Sequence, residues 1–163
     1  MRDIVLRGYE REDGLVDIEA RMTDLKPYSW SSIDRGQVPA GAPLHDMWMR
    51  VTVGTDMVIR ACEAAMDSTP YTICPGVAPN FARLAGLTIG KGFIKQAMQR
   101  LGGVEGCTHL RELLQPIATV AFQTMISVRR NRPIRSGRET VPDFLVNSCH
   151  AYAEDGPVVQ RGR

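Results

Sequence analysis

A thiol and an imidazole stand together at the predicted start of a helix, in the stretch Cys107-Thr108-His109. The glycine-rich residues 102–106 end the preceding helical pattern, and a new apolar stripe at helical spacing begins after them. Unpaired backbone N–H groups at a helix N-terminus favour negative charge, so a thiol there ionises more readily than a free one. Because a thiolate attacks electrophiles and binds metals, Cys107 and His109 are candidate site residues.

Two further residues of ligand type lie at predicted junctions between elements. His45 comes at the start of a strand, and Cys74 lies where strands give way to helices. Such junctions gather at one end of a sheet, so we expect one metal site there. Its predicted ligands are His45, Cys74, Cys107 and His109. Two thiolates and two imidazoles suit Zn²⁺ or iron in tetrahedral geometry. Taken singly, His45 is more often a hydrogen-bonded structural histidine, and Cys74 a small buried hydrophobe.

Catalysis at such a site also needs groups that take up and release protons. Asp46 follows His45 directly, and the pair Cys149-His150 lies near the end of the sequence. These three residues, Asp46, Cys149 and His150, are the predicted catalytic residues. Asp24 and Asp46 can also orient a histidine by accepting its N–H, although surface carboxylates at strand ends are common.

Composition indicates a soluble globular protein without a nucleic-acid or membrane partner. One domain is expected over residues 1–163, of which 44% are hydrophobic and 23% charged. A net charge of +2 is too small to indicate nucleic acid, and no apolar run of membrane-spanning length occurs. The first residues lack the apolar core of a signal peptide. We therefore expect a cytoplasmic location with unpaired cysteines, a small-molecule substrate, and either a monomer or a homo-oligomer.

Period-two patterning predicts two β-hairpins in the first part of the chain. Residues 3–26 read as a hairpin around an Asp-Gly turn signal, with apolar and charged residues alternating over 15–22. Residues 47–53 alternate in the same way, and residues 58–66 form the returning strand after a turn. Cys62, in the returning strand of the second hairpin, is interpreted as core packing. Residues 27–43 are rich in proline, serine and glycine, which predicts an irregular loop.

Helical spacing replaces this alternation after the second hairpin and predicts helices over residues 76–128. Pro116 must kink or split the last of them. The predicted fold class is therefore α+β, an antiparallel sheet of two hairpins with helices packed on one face. The arginine-rich residues 129–143 are interpreted as a solvated crossing segment, and residues 156–163 as a mobile tail.

Four short stretches, spread over nearly the whole chain, resemble a known family. They are Asp13-Gly14-Leu15-Val16-Asp17-Ile18-Glu19, Leu44-His45-Asp46-Met47, Gly106-Cys107-Thr108-His109-Leu110 and Cys149-His150-Ala151. By these residues the chain resembles the bacterial family catalogued as domain of unknown function 2889. That family brings no established activity, so the predicted chemistry rests on the residues themselves.

Residues 41–115 are also similar, more distantly, to the iron–sulfur cluster scaffold family. That family places one ligand after a small-residue loop, a cysteine before a helix, and a His-Cys pair at the start of a later helix. His45 stands at the first position, where that family has cysteine, Cys74 at the second, and Cys107-Thr108-His109 at the third. The shared layout implies a mononuclear metal ion on the same fold, with the strands preceding the helices.

Two classes of function follow from these residues. The first is a metal-dependent enzyme with Zn or Fe as cofactor, a lyase or hydrolase of bacterial catabolism that acts on a small organic molecule. The second is a non-enzymatic metal or iron–sulfur carrier or scaffold that works through a protein partner. An open coordination position favours the enzyme, and four closed protein ligands favour the carrier. Catalysis by Cys107 without a metal, with His109 or His150 as base, is a third interpretation.

Overall fold

Alternating apolar residues build a four-stranded antiparallel sheet from two hairpins. The strands of the structure, a computed structural model, are β1 (Arg2–Glu10), β2 (Val16–Leu25), β3 (Trp30–Ser32), β4 (Gly36–Val38), β5 (Pro43–Val53) and β6 (Ile59–Ser68). The four-stranded sheet has the order β1-β2-β5-β6, and every neighbouring pair is antiparallel. The predicted sheet of two hairpins is therefore confirmed.

The structure describes residues 1–130, 141 and 143–161, which belong to two compact units. The first unit is Met1–Arg129 and the second is Arg130–Arg163. The first unit holds the four-stranded sheet, the small β3–β4 sheet and the longer helices. The prediction of a single domain over residues 1–163 stays a prediction.

One face of the four-stranded sheet is apolar because every second residue of its two central strands is apolar. In β2 and β5 these residues are at most 1% exposed, and they are Val16, Ile18, Ala20, Met22, Met47, Met49, Val51 and Val53. Successive side chains of a strand point to opposite faces, so the residues between them lie on the other face. Burial of one face fixes the register, because a slip by one residue would expose the whole apolar set.

Helices cover this apolar face. The α-helices of the first unit are α1 (Phe93–Leu101), α2 (Thr108–Glu112) and α3 (Leu114–Arg130). Two 3-10 helices accompany them, at Cys74–Leu84 and Gly103–Glu105. Phe81, Leu110 and Ile117 are fully buried and belong to the same apolar cluster as the sheet residues. The α+β prediction, with helices on one face and strands first in the sequence, is confirmed.

Pro116 separates α2 from α3, as the sequence predicts. Helix α2 ends at Glu112 and α3 begins at Leu114, so the proline lies in the first turn of α3. Its missing N–H costs no hydrogen bond there, since the first N–H groups of a helix have no intrahelical partner. The result is a separate helix of five residues, and this short helix carries His109.

Two stretches differ in detail from the prediction. Residues 27–43, predicted as an irregular loop, contain the hairpin β3–β4, whose strands are three residues long and too short to show a period. The residues after β6, predicted as α-helical from 76, begin with the 3-10 helix Cys74–Leu84. Pro79 lies inside that helix and removes a backbone donor, which favours a short irregular helix over a regular α-helix there.

The second unit contains short helices. They are 3-10 helices at Asp143–Leu145 and His150–Tyr152, followed by α4 (Pro157–Arg161). Helix α4 occupies much of the predicted tail 156–163. The predicted crossing segment 129–143 lies for the most part outside the described residues, because residues 131–140 and 142 do. None of the helices that the structure describes combines the length and the hydropathy that a membrane span needs.

We expect the replacement Cys62→Ala to lower the free energy of unfolding by about 1 kcal/mol, because it leaves a small cavity in the core. Cys62 is 4% exposed and lies opposite Val51, and burial raises the pKa of its thiol to about 12. Urea unfolding followed by circular dichroism measures the change. The exposed Cys149 is the control, since Cys149→Ala should change the free energy by less than about 0.5 kcal/mol. Equal effects of the two replacements would show that Cys62 does not pack in the core.

Candidate metal centre

The apolar rows of β2 and β5 both end in an ionisable residue. Asp24 continues the alternation of β2, and His45 continues that of β5, so both side chains project from the buried face. Asp24 lies opposite His45 in the β2–β5 register, and Arg2 of β1 lies opposite Asp24 on the other side. A row of three polar side chains therefore crosses one end of the sheet.

The glycine-rich turn before α2 packs closely against the end of α1. A Cβ atom at Gly106 would stand 2.3 Å from the carbonyl oxygen of Leu101, which is the last residue of α1. Only glycine permits this approach without movement of the backbone. The glycines of residues 102–106 thus determine where the next helix begins.

Helix α2 brings a second histidine onto the polar row. Cys107 precedes the helix in extended conformation, and its carbonyl accepts a hydrogen bond of 3.0 Å from the N–H of Arg111. Leu110 is fully buried in the core and holds one side of the helix against the sheet. With the helix so placed, the rings of His45 and His109 lie with centroids 3.8 Å apart and planes tilted by 36°.

Asp24, His45 and His109 form a group of metal-ligand type. One ligand atom from each residue lies within 4.8 Å of the other two. Asp24 is 8% exposed, His45 is 6% exposed, and His109 is half-buried. Nδ1 of His45 lies 2.8 Å from Oδ2 of Asp24. Two imidazoles and one carboxylate at these separations match both the ligand types and the span of a transition-metal site.

Arg2 keeps Asp24 in its charged form. Its Nε donates a hydrogen bond of 2.7 Å to Oδ1 of Asp24, and its Nη2 donates one of 2.8 Å to Oδ2. These bonds lower the pKa of Asp24 to about 2, against burial, which raises it, and His45 lowers this pKa further. Nη1 of Arg2 also donates to the carboxylate of Glu112. The same side chain therefore ties the sheet to the end of α2.

His109 is held in its neutral form at neutral pH. Burial lowers its pKa below the ordinary 6.5, and repulsion from the neighbouring His45 and Arg2 lowers it further. A neutral imidazole carries the lone pair that binds a metal ion or accepts a proton. The group therefore combines an ionised carboxylate with an imidazole that is ready to act as ligand or base.

Cys107 lies beside this group without belonging to it. Its Sγ is 3.9 Å from Nδ1 of His109, and its side chain packs half-buried against the apolar core. A thiol at this distance is a weak hydrogen-bond partner of an imidazole. Of the four ligands predicted from the sequence, the structure therefore places His45 and His109 in the group and Cys107 beside it.

The other predicted site residues are not members of this group. Cys74 begins a 3-10 helix, packs against the apolar core and is not a member of the group. Asp46 pairs with Arg21 at 2.7 Å, and the hydrogen bond from this arginine lowers the pKa of Asp46. Successive residues of a strand point to opposite faces, so the residue next to a buried ligand cannot share its site. Cys149 and His150 are exposed in the second unit.

Asp24 and Arg2 take part in the site, but neither is among the site residues predicted from the sequence. The sequence gives Asp24 the role of orienting a histidine, and its contact with His45 agrees with that role, but Asp24 is not among the predicted ligands. A signal exists, because Asp24 continues a row of four buried apolar residues at the same spacing. Arg2 and Glu112 give no such signal, because their contacts depend on how β1 and α2 pack.

Comparison with known proteins finds a family match that covers this group. A family model described as "Protein of unknown function (DUF2889)" matches residues 1–123, which include Asp24, His45, Cys107 and His109. No curated protein matches the chain, and no solved structure matches it. The resemblance to iron–sulfur scaffold proteins therefore has no support from a structural neighbour.

We expect Asp24→Asn to lower the free energy of unfolding at neutral pH. The free energy of unfolding of this variant should also fall less steeply than that of the parent as the pH is lowered. The folded-state pKa of about 2 lies below the ordinary 3.8. Ionised Asp24 therefore stabilises the folded state above about pH 4, and this stability is lost as the pH falls through about 2. A shift of this size corresponds to about 2 kcal/mol. The free energy of unfolding in urea, measured near pH 6 and near pH 2.5, reports the difference.

The exposed Asp155 of the second unit provides the matched control for this measurement. Asp155→Asn should leave the acid dependence of the unfolding free energy as it is in the parent protein. If the Asp24→Asn protein loses stability in acid as steeply as the parent, the hydrogen bonds from Arg2 do not hold Asp24 ionised.

Proposed function

The chain belongs to the DUF2889 family of proteins of unknown function, and we propose that it is a metal-dependent enzyme. The metal is Zn²⁺ or iron, and the reaction is that of a lyase or hydrolase on a small organic molecule. The observation that carries this proposal is the group Asp24, His45 and His109, whose ligand atoms lie within 4.8 Å of one another.

The separations in the group suit a bound ion. With bonds of about 2.1 Å, neighbouring ligand atoms lie about 3.4 Å apart around a tetrahedral ion and about 3 Å apart around an octahedral one. The distance between Nδ1 of His45 and Oδ2 of Asp24 is 2.8 Å. Arg2 occupies one lone pair on each oxygen of Asp24, and a carboxylate oxygen has a second lone pair to offer. An ionised carboxylate beside imidazole nitrogens is a ligand set that attracts a divalent cation.

A set of three protein ligands favours catalysis over a structural role. Structural zinc sites are closed by four protein ligands, whereas catalytic sites keep a position for water or substrate. Two histidines with one carboxylate are also the ligands of non-haem iron enzymes with open positions. Because His109 is half-buried while Asp24 and His45 are buried, substrate would approach from the side of α2.

The protein's own groups have separate tasks in this proposal. When bound, the ion would polarise a carbonyl or hydroxyl group of the substrate or activate a water. Arg2 holds Asp24 ionised and in place. The thiol of Cys107, with Sγ 3.9 Å from Nδ1 of His109, lies beside the ligands, where it would donate a proton to the substrate. Asp46, the carboxylate predicted as catalytic, is instead held in an ion pair on the opposite face.

A second candidate is catalysis without a metal. The 2.8 Å contact is also that of an aspartate that orients a histidine as general base. Cys107 lies beside His109 as a nucleophile lies beside its base. The two bonds from Arg2 favour this candidate, because they already compensate the charge of Asp24. The iron–sulfur carrier is less favoured, since the ligand group that the described residues form contains no cysteine.

Metal titration tests the proposal directly. By isothermal titration calorimetry with Zn²⁺, we expect one ion per chain. We expect His109→Ala to weaken binding by more than about 100-fold, which exceeds the usual effect of losing an outer partner of a ligand. His150→Ala is the matched control, because His150 is exposed and is not a member of the group. Its affinity for Zn²⁺ should equal that of the parent.

A second pair of variants separates ligand chemistry from net charge. Asp24→Asn and Asp46→Asn each remove one carboxylate that is paired with an arginine. Only the first removes an oxygen of the ligand group, so only the first should weaken Zn²⁺ binding. If the parent, Asp24→Asn and His109→Ala proteins bind Zn²⁺ equally, or none binds it, the metal proposal fails. The metal-free candidate then predicts that alkylation of Cys107 abolishes turnover.

Cobalt spectra distinguish an enzyme site from a carrier site. The visible absorption of Co²⁺ depends on its coordination, and azide can enter only a position that the protein leaves open. We expect azide to change the spectrum of the Co²⁺-loaded protein. A spectrum that azide does not change, with a sulfur-to-cobalt band that disappears in Cys107→Ser, would indicate a closed site and favour the carrier.

A further inference from the structure

Strand β1 is an exposed edge of the four-stranded sheet. It pairs with β2 on one side, and within the part of the chain that the structure describes no backbone group bonds to its other side. Ile4, Val5 and Tyr9 on this strand are 39%, 47% and 44% exposed. Sheet edges are commonly protected by charged side chains, by proline, by bulges or by shortness, and of these β1 has only charged side chains. β1 has nine residues, no proline and an unbroken register with β2.

The pairing with β2 determines which backbone groups of β1 are free. Met1 and Leu25 exchange hydrogen bonds in both directions, each of 2.9 Å. Pairs that exchange such bonds alternate along an antiparallel ladder with pairs that do not. The odd-numbered residues of β1 therefore bond to β2, and the N–H and C=O groups of its even-numbered residues point to the free edge. A further strand must bond to these even-numbered residues.

Two opposite charges flank the middle of β1 on its outer face. Asp3 and Arg7 are exposed, and among the described residues neither side chain makes a hydrogen bond or an ion pair. They lie two residues before and two residues after Val5, so all three side chains share one face. A half-turn about Val5 exchanges the positions of Asp3 and Arg7. The strand is therefore complementary in charge to a second copy of itself.

We propose that two copies of this chain associate through β1, in an antiparallel register centred on Val5. Ile4 of one copy then bonds to Leu6 of the other, which joins even-numbered residues as the free backbone groups require. Asp3 of each copy lies opposite Arg7 of the other. These are non-hydrogen-bonded pairs, in which facing side chains are closest. Two four-stranded sheets become one continuous sheet across the dimer.

The charges select this register over its neighbour. A register centred on Leu6 also joins even-numbered residues, but it places Val5 opposite Arg7 and Asp3 opposite Tyr9. Both ion pairs are then lost. A register that sets even-numbered against odd-numbered residues loses the backbone hydrogen bonds instead. A second copy of the chain always carries the matching charges, which is why we favour it over a strand from another protein.

Charge exchange tests the dimer in the full chain. Sedimentation equilibrium over about a hundredfold range of protein concentration measures the dissociation constant. We expect a dimer for the parent protein. Asp3→Arg and Arg7→Asp should each weaken association by at least about tenfold, because each replaces two ion pairs by two like-charge contacts. The double exchange, Asp3→Arg with Arg7→Asp, restores both pairs and should associate as the parent does.

A mixture of the two single variants and a control variant outside the pairing complete the test of the dimer. An equimolar mixture of the Asp3→Arg and Arg7→Asp proteins should form a heterodimer, since each supplies the charges that the other needs. Glu12→Arg reverses a charge in the turn after β1 and should leave association unchanged. Circular dichroism verifies that every variant is folded. The proposal is overturned if the parent protein is monomeric. It is also overturned if the parent is dimeric and the double exchange is monomeric, or if the single exchanges do not weaken the dimer.

Discussion

Hydrogen bonds with Arg2 and His45 compensate the buried charge of Asp24 at the end of the apolar sheet face. An isolated buried carboxylate is costly by several kcal/mol, and Asp24 is 8% exposed. Arg2 compensates it with two hydrogen bonds, and His45 lies 2.8 Å from it. Arg2 reaches on to Glu112, so the same side chain also contacts the end of α2, the helix that carries His109.

The chemical character of the centre depends on what stands between Asp24 and His45. With a proton there, the pair is an aspartate that orients an imidazole, and His109 with Cys107 supplies a base beside a thiol. If a metal ion binds at this end of the sheet, Asp24, His45 and His109 are the residues that would hold it. The geometry serves both, because a hydrogen bond and the edge of a coordination polyhedron have nearly the same length.

The two faces of the sheet differ in composition and in role. The face under the helices carries the apolar core and the ligand group at its end. The opposite face carries ion pairs between strands, such as Arg21 with Asp46 and Arg50 with Glu63. Because residues alternate between the faces, a charged outer face and a buried centre occupy the same strands without conflict. Asp3 and Arg7 of β1 lie on this outer face too, but within the described residues their side chains are unpaired. They are therefore available to pair with a second copy of the chain.

The sequence by itself determined the four long strands, the faces of the sheet and the start of α2. Alternation defined the two hairpins, Pro116 predicted the break between α2 and α3, and Cys107-Thr108-His109 marked the start of a helix. These are local properties, since they depend on backbone geometry and on which side chains avoid water. The alternation also places Asp24 and His45 on the buried face, although it does not say that they meet.

Only the tertiary structure decided which side chains are neighbours. Asp24 lies opposite His45 because of the register between β2 and β5, and that register depends on burial of all eight apolar residues at once. Cys74 stays outside the group because it follows β6 in a 3-10 helix that packs on the core, a path that no local pattern specifies. Arg2 is separated from Glu112 by more than a hundred residues, and only folding brings them together. A periodic pattern shows on which face of an element each side chain lies. A binding site depends on the distances between side chains of different elements, which no such pattern contains.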